Sequence, residues 1–179
     1  MGRVSYVLGA VALFAVLALA ACGGDSGPSD VGARASASLA GADGTAMGTV
    51  TLTQGPNGVL IEADVQGLSP GAHGFHIHSV GACTPDFSAA GGHYAPGGEG
   101  HGLMHEDGSH AGDLPNIHAD ADGAARADYF TDAVTLDADA DHSLFDDDGS
   151  AIIVHAKPDS YGAAPEAGDR VACGVIVRG

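Results

Sequence analysis

Val59-Leu60-Ile61-Glu62-Ala63-Asp64-Val65-Gln66 is the stretch whose reading decides the fold class. Val59, Ile61, Ala63 and Val65 alternate with Leu60, Glu62, Asp64 and Gln66. Successive side chains leave a β-strand on opposite sides, so this alternation puts four apolar groups on one face. The pattern recurs on either side. Upstream, Thr49-Val50-Thr51-Leu52-Thr53 alternates cleanly, and Arg34–Leu39 places Ala35, Ala37 and Leu39 together. Downstream, Phe75–Val80, Ala124–Thr131, Ala151–His155 and Val171–Val177 carry strand character. No segment sustains a helical period with caps. The 29 glycines and eight prolines suit tight connections. The expectation is an all-β domain: an antiparallel β-sandwich or barrel of about eight strands with Greek-key links.

The chain divides into three parts. Met1–Ala21 reads as an export signal, with Arg3 ahead of an uncharged hydrophobic run from Val4 to Ala21. The run is also long enough to span a bilayer. Leu19-Ala20-Ala21-Cys22 resembles the bacterial lipoprotein box, in which cleavage leaves Cys22 as a lipid-bearing N-terminus. An ordinary secretory signal cut near Ala18-Leu19-Ala20 is the alternative. On the lipoprotein reading, Cys22 anchors the protein to a membrane without spanning it. The expected location is the cell envelope, on a periplasmic or other extracytoplasmic face. Residues 22–33 are rich in Gly, Ser, Pro and Asp and read as a flexible tether. Residues 34–179 are of a length for one domain.

Gly71-Ala72-His73-Gly74-Phe75-His76-Ile77-His78 adds chemistry to this frame. On a strand, His76 and His78 leave the same face, one pleat apart, as two nitrogen ligands to one metal would. His93, His101, His105 and His110 follow before Asp113, so six of the ten histidines fall in one window. Imidazole suits zinc and copper. The segment from Gly81 to Asp113 has little strand character, and a loop of that length in a compact domain is usually functional.

Gly74-Phe75-His76-Ile77-His78, Gly92-His93-Tyr94-Ala95-Pro96, His101, His110-Ala111-Gly112-Asp113-Leu114, Val154-His155-Ala156-Lys157 and Gly168-Asp169-Arg170-Val171-Ala172-Cys173-Gly174-Val175-Ile176 stand in this order. From about Arg34 to Gly179 the chain resembles the copper–zinc superoxide dismutases, of the bacterial exported, lipoprotein type. The resemblance implies disproportionation of superoxide to dioxygen and hydrogen peroxide, with one copper and one zinc per chain. It implies copper ligands His76, His78, His93 and His155, and zinc ligands His93, His101, His110 and Asp113. His93 bridges the two ions, and His93 and Arg170 are the catalytic residues, Arg170 attracting and orienting a small anion. Asp159 links a copper-bound to a zinc-bound histidine, while His73 bonds backbone rather than metal. With Cys22 reserved for lipid, Cys83 and Cys173 remain, and the resemblance implies that they form a disulfide; two free thiols are the other reading. The family also allows a homodimer.

Some features lie outside the resemblance. The stretch from Ala156 to Asp169 is short and holds a single lysine, Lys157. His105, His118 and His142 have no assigned role and read as surface residues. Asp146-Asp147-Asp148 reads as a solvated turn. Asp137, Asp139 and Asp141 superficially resemble a calcium loop, but His142 stands where that loop needs glycine. The formal charge is −17, one unit more negative without Arg3. That charge argues against nucleic-acid binding and leaves any steering of an anion to local groups. A copper- or zinc-binding lipoprotein without catalysis, and a structural sandwich stiffened by zinc, are the alternatives from other classes.

Overall fold

The computed structural model describes residues 1–2, 30–164 and 166–179. Most of the segment read as an export signal, Cys22 and most of the stretch read as a tether lie outside the described residues. Among the described residues nine strands follow in order: β1 Arg34–Ala40, β2 Ala46–Gly55, β3 Gly58–Val65, β4 Gly71–His73, β5 Phe75–His78, β6 Ile117–Ala119, β7 Ala125–Thr131, β8 Ala151–His155 and β9 Arg170–Arg178. Seven form one curled antiparallel sheet in the order β5-β8-β9-β1-β2-β3-β7, and β4 pairs with β6 in a second, two-stranded sheet. The first and last strands lie side by side, and β3 meets β7 and β5 meets β8 across long connections. This is the Greek-key all-β arrangement expected from the alternation. The two three-residue strands, β4 and β6, are additional: elements that short carry too little periodicity to read.

The alternation is realised as burial. Val59, Ile61, Ala63 and Val65 of β3 are buried, and Leu60, Glu62 and Asp64 are exposed. Along β2 the phase slips once. Leu39 pairs with Gly48 but Ala40 pairs with Ala46, an irregularity that turns both Met47 and Val50 inward. Gly48 has φ +127, and a Cβ there would stand 2.1 Å from the Asp64 carbonyl oxygen, so only glycine fits.

β8 departs from alternation, since all five of its residues are buried. Ile152 and Val154 join the main core. Ala151 and Ile153 face the other way, into a small cluster with Ala90 and Cys173 that Cys83 and Phe87 help cover. The segment after β5 therefore roofs the outer face of β8. A disulfide between Cys83 and Cys173, with Cα atoms 5.9 Å apart, ties that roof to β9.

β5 is an edge strand of the large sheet, and this fact places the site. Its free edge is taken by the 81–113 segment rather than by another strand. Ile77 N–H donates to the Gly112 carbonyl at 2.9 Å, and Tyr94 N–H donates to the Ile77 carbonyl at 2.9 Å. Isolated bridges pair His76 with Asp113 and His78 with His93. Backbone hydrogen bonding thus sets His93 and Asp113 in register with the two histidines of β5. Gly112 permits the approach, because a Cβ there would lie 2.3 Å from the Ile77 oxygen.

Candidate metal centre

Phe75 and Ile77 of β5 pack into the main core, so His76 and His78 leave the opposite face together. Their ring centroids are 6.4 Å apart. His155, at the end of β8, brings its ring 5.0 Å from that of His76, and the His93 ring lies 4.1 Å from it. One nitrogen from each of His76, His78, His93 and His155 lies within 4.8 Å of the others. A second group, His93, His101, His110 and Asp113, converges to the same limit. His93 belongs to both.

The hydrogen bonds show which atoms are spare. His78 Nδ1 faces the Gly91 carbonyl at 3.0 Å, and His155 Nδ1 faces the Gly168 carbonyl at 3.1 Å. The Nε2 atoms of both rings are buried and without a hydrogen-bond partner, as is His76 Nδ1. Burying such atoms unpaired costs roughly 1–3 kcal/mol each. A metal ion would satisfy several at once, so the residues fit one. In the second group Asp113 Oδ1 lies 2.6 Å from His93 Nδ1 and 3.3 Å from Nδ1 of both His101 and His110. Donors about 2.0 Å from one tetrahedral zinc ion would stand roughly 3.3 Å apart. His93 thus turns Nδ1 to the second group and leaves Nε2 for the first.

Protonation follows the same geometry. Burial first, then the neighbouring histidines, pushes His76 down to about 2. Burial likewise takes His78 to about 2 against the opposing Gly91 carbonyl, and lowers His155. Burial alone would raise the Asp113 carboxyl, but hydrogen bonds from His93 and the Gly102 N–H outweigh it and hold the group below the usual carboxylate range. His76, His78 and Asp113 thus stay in metal-binding form well into acid. For the metal-free chain this fixes a sign. Between pH 6.5 and about 2 the unfolded state protonates His76 and His78 and the folded state does not, so stability is full above pH 6.5 and falls as pH drops. Two such rings give a slope approaching ~3 kcal/mol per pH unit. Denaturant unfolding of the metal-free protein at pH 7, 6 and 5 checks this, and a flat profile would contradict it.

Arg170 stands beside the first group. Its guanidinium donates through Nη1 to the Phe87 carbonyl and through Nη2 to the Gly91 carbonyl at 2.6 Å. The Gly91 carbonyl therefore holds both His78 and Arg170. With His78, Gly92, His93, His101, His110, His155 and Gly168, Arg170 lines an open pocket of about 360 Å³. Burial lowers its pKa, opposed by Asp86, and guanidinium remains a cation at any ordinary pH.

Asp159 sits behind the rings, with Oδ2 2.9 Å from His76 Nε2 and 3.2 Å from His101 Nε2. It reaches one ring of each group. His73 contacts the carbonyls of His155 and Ser69 at 2.7 and 2.8 Å and stays outside both sets. His105 also lies outside them, 3.9 Å from Asp107, while His118 and His142 are exposed. The residues sequence reasoning missed are Asn116 and Tyr161, which hold Asp159; neither is a metal-ligand type, and no spacing marks them.

The profile of the family described as copper/zinc superoxide dismutase matches residues 46–176. The chain belongs to that family. It is 47% identical over 147 residues to a superoxide dismutase [Cu-Zn] of Caulobacter vibrioides, covering 79% of this chain and 84% of the relative. A superoxide dismutase [Cu-Zn] 2 of Aquifex aeolicus is 42% identical over 147 residues, covering 80% and 86%. The fold is similar to the crystal structure of a SOD-like protein from Bacillus subtilis, with TM-score 0.75 and 34% identity over 79% of this chain and 97% of that one. Family membership accounts for what the geometry shows: a paired copper and zinc centre needs two donor sets, and this chain builds two that share one imidazole.

Proposed function

We infer that the protein is a copper–zinc superoxide dismutase, in which two superoxide anions and two protons become dioxygen and hydrogen peroxide. The carrying observation is that the four-histidine group and the three-histidine, one-aspartate group share His93. An all-nitrogen set suits copper(II), and His₃Asp is a closed tetrahedral complement for zinc. We assign copper to His76, His78, His93 and His155, and zinc to His93, His101, His110 and Asp113. Bound copper supplies the one-electron cycle between Cu(II) and Cu(I), and zinc does no redox chemistry.

The chain's residues do the rest. Arg170 presents a fixed cation in the pocket over His78, His93 and His155, where it attracts and orients a small anion. His93 Nδ1 is committed to the Asp113 side, so Nε2 would hold copper, and the same atom would be free to take a proton only when copper is not bound to it. The Cys83–Cys173 disulfide keeps Phe87 and Gly91, and through them Arg170, in place. Metal content and dismutase activity measured on one purified sample test the reading. About one copper and one zinc per chain with rapid turnover are expected. Zinc alone, with no activity after copper reconstitution, would favour a binding or structural role.

A net charge of −17 repels superoxide at long range, so we assign steering to local groups, Arg170 foremost. Lys157 is a weaker contributor; its stem runs beside Gly168, which lines the pocket. The Debye length shrinks from ~30 Å at 0.01 M salt to ~8 Å at 0.15 M. The second-order rate constant is expected to fall across that range, and Arg170→Ala to lower it about tenfold and flatten the salt dependence. A rate that rises with salt would show bulk repulsion in control.

The envelope location remains part of this proposal. A disulfide between Cys83 and Cys173 is at home in an oxidising compartment and leaves Cys22 as the odd cysteine, available for lipid. Labelled fatty acid should be incorporated into the protein and lost in Cys22→Ser; an unaltered protein that takes up no label would rule out the anchor.

A further inference from the structure

Asp159 touches both donor groups, yet the rings it touches do not orient it. Its Oδ2 is close to His76 Nε2 and His101 Nε2, but neither approach has the alignment of a hydrogen bond. Orientation comes from the other side. Asp159 Oδ1 accepts the Tyr161 N–H at 2.7 Å. The Asn116 side-chain amide grips the Asp159 backbone in both directions, donating to its carbonyl at 2.9 Å and accepting its N–H at 2.8 Å. Asn116 is in turn held by Tyr161, because the Asn116 N–H donates to the Tyr161 hydroxyl oxygen at 2.8 Å.

Tyr161 therefore reaches Asp159 twice, once directly through its backbone and once through its ring and Asn116. Its backbone has φ +63, a left-handed conformation uncommon for a residue other than glycine and of the kind found where surrounding structure over-determines it. A third tie runs to the segment carrying His101. The Met104 N–H donates to the Tyr161 carbonyl at 2.9 Å. Gly102 packs so closely that a Cβ there would stand 2.6 Å from the same oxygen. Tyr161 does not line the pocket above the histidines.

We propose that Tyr161 is a positioning residue for the metal centre: it clamps Asp159 and Asn116, seats the His101 segment, and so holds one carboxylate oxygen between His76 and His101, coupling the two donor groups. This rests on the reading that the groups bind copper and zinc. Metal-bound histidines depend on outer partners for ring orientation, and losing such a partner typically weakens metal binding by about 10–100-fold.

The test uses the full chain with Tyr161→Phe, Asp159→Asn and the double variant. Phenylalanine keeps the ring and deletes only the hydroxyl. Zinc affinity of the metal-free proteins is read by competition with a chromogenic chelator. The copper(II) electron paramagnetic resonance spectrum is read after loading both metals. Tyr161→Phe is expected to weaken zinc about tenfold and move the copper spectrum toward that of Asp159→Asn. The double variant should be no weaker than Asp159→Asn alone, because the hydroxyl acts through that carboxylate. Unchanged affinity and spectrum in Tyr161→Phe would overturn the proposal, even with a lowered unfolding midpoint, as would losses that add in the double variant. A chain that binds zinc but lacks dismutase activity would defeat the functional reading while the zinc comparison still decides the role of Tyr161. A chain that binds neither metal would defeat both.

Discussion

Replacing His155 with alanine is expected to abolish dismutase activity, by more than about 100-fold, while zinc stays bound. His155 supplies one of four nitrogens in the first group and none in the second. Its Nδ1 is held by the Gly168 carbonyl, which aims a buried, unpartnered Nε2 at the other three rings. Removing a direct ligand should exceed the ~10–100-fold effect of removing an outer partner. The fold should survive, since His155 ends β8 and the apolar contacts of that strand come from Ile152, Ile153 and Val154. Copper and zinc content measured beside activity gives the answer. Full activity with copper retained would sink the four-histidine assignment. Loss of both metals together would show that the groups are less separable than their ligands indicate.

Removing the disulfide with Cys83→Ala and Cys173→Ala is the second large effect. The bridged residues are 90 apart in sequence. In the chain-entropy account, a loop of that size contributes roughly 4–5 kcal/mol. For a domain of this length that corresponds to a fall of about 10–15 °C in the unfolding midpoint. Activity should fall as well, for a reason the entropy account does not contain. The bridge holds the segment whose Phe87 and Gly91 carbonyls orient Arg170, and the Gly91 carbonyl also orients His78. Reducing the unaltered protein with dithiothreitol should reproduce both losses. Equal midpoints and equal activity in the bridged and bridgeless proteins would show that β-sheet packing alone positions Arg170.

The strands were legible because they rest on local rules. A period of two in Val59–Gln66 becomes a buried and an exposed face whatever the rest of the chain does. The same rule sends His76 and His78 out together. The resemblance to the copper–zinc superoxide dismutases marked His93, His101, His110, Asp113, His155 and Asp159, and it implied the Cys83–Cys173 bridge where cysteine number alone left two free thiols open. Tertiary structure decided what no local period encodes. It placed His93 and Asp113 against the free edge of β5, in register with His78 and His76. It buried both faces of β8 by folding the disulfide-bearing segment over it. It brought Asn116 and Tyr161, 45 residues apart, to either side of Asp159. Those relations depend on which backbone groups meet after the sheet closes, and hydrogen bonds between distant segments leave no periodic trace in the chain that makes them.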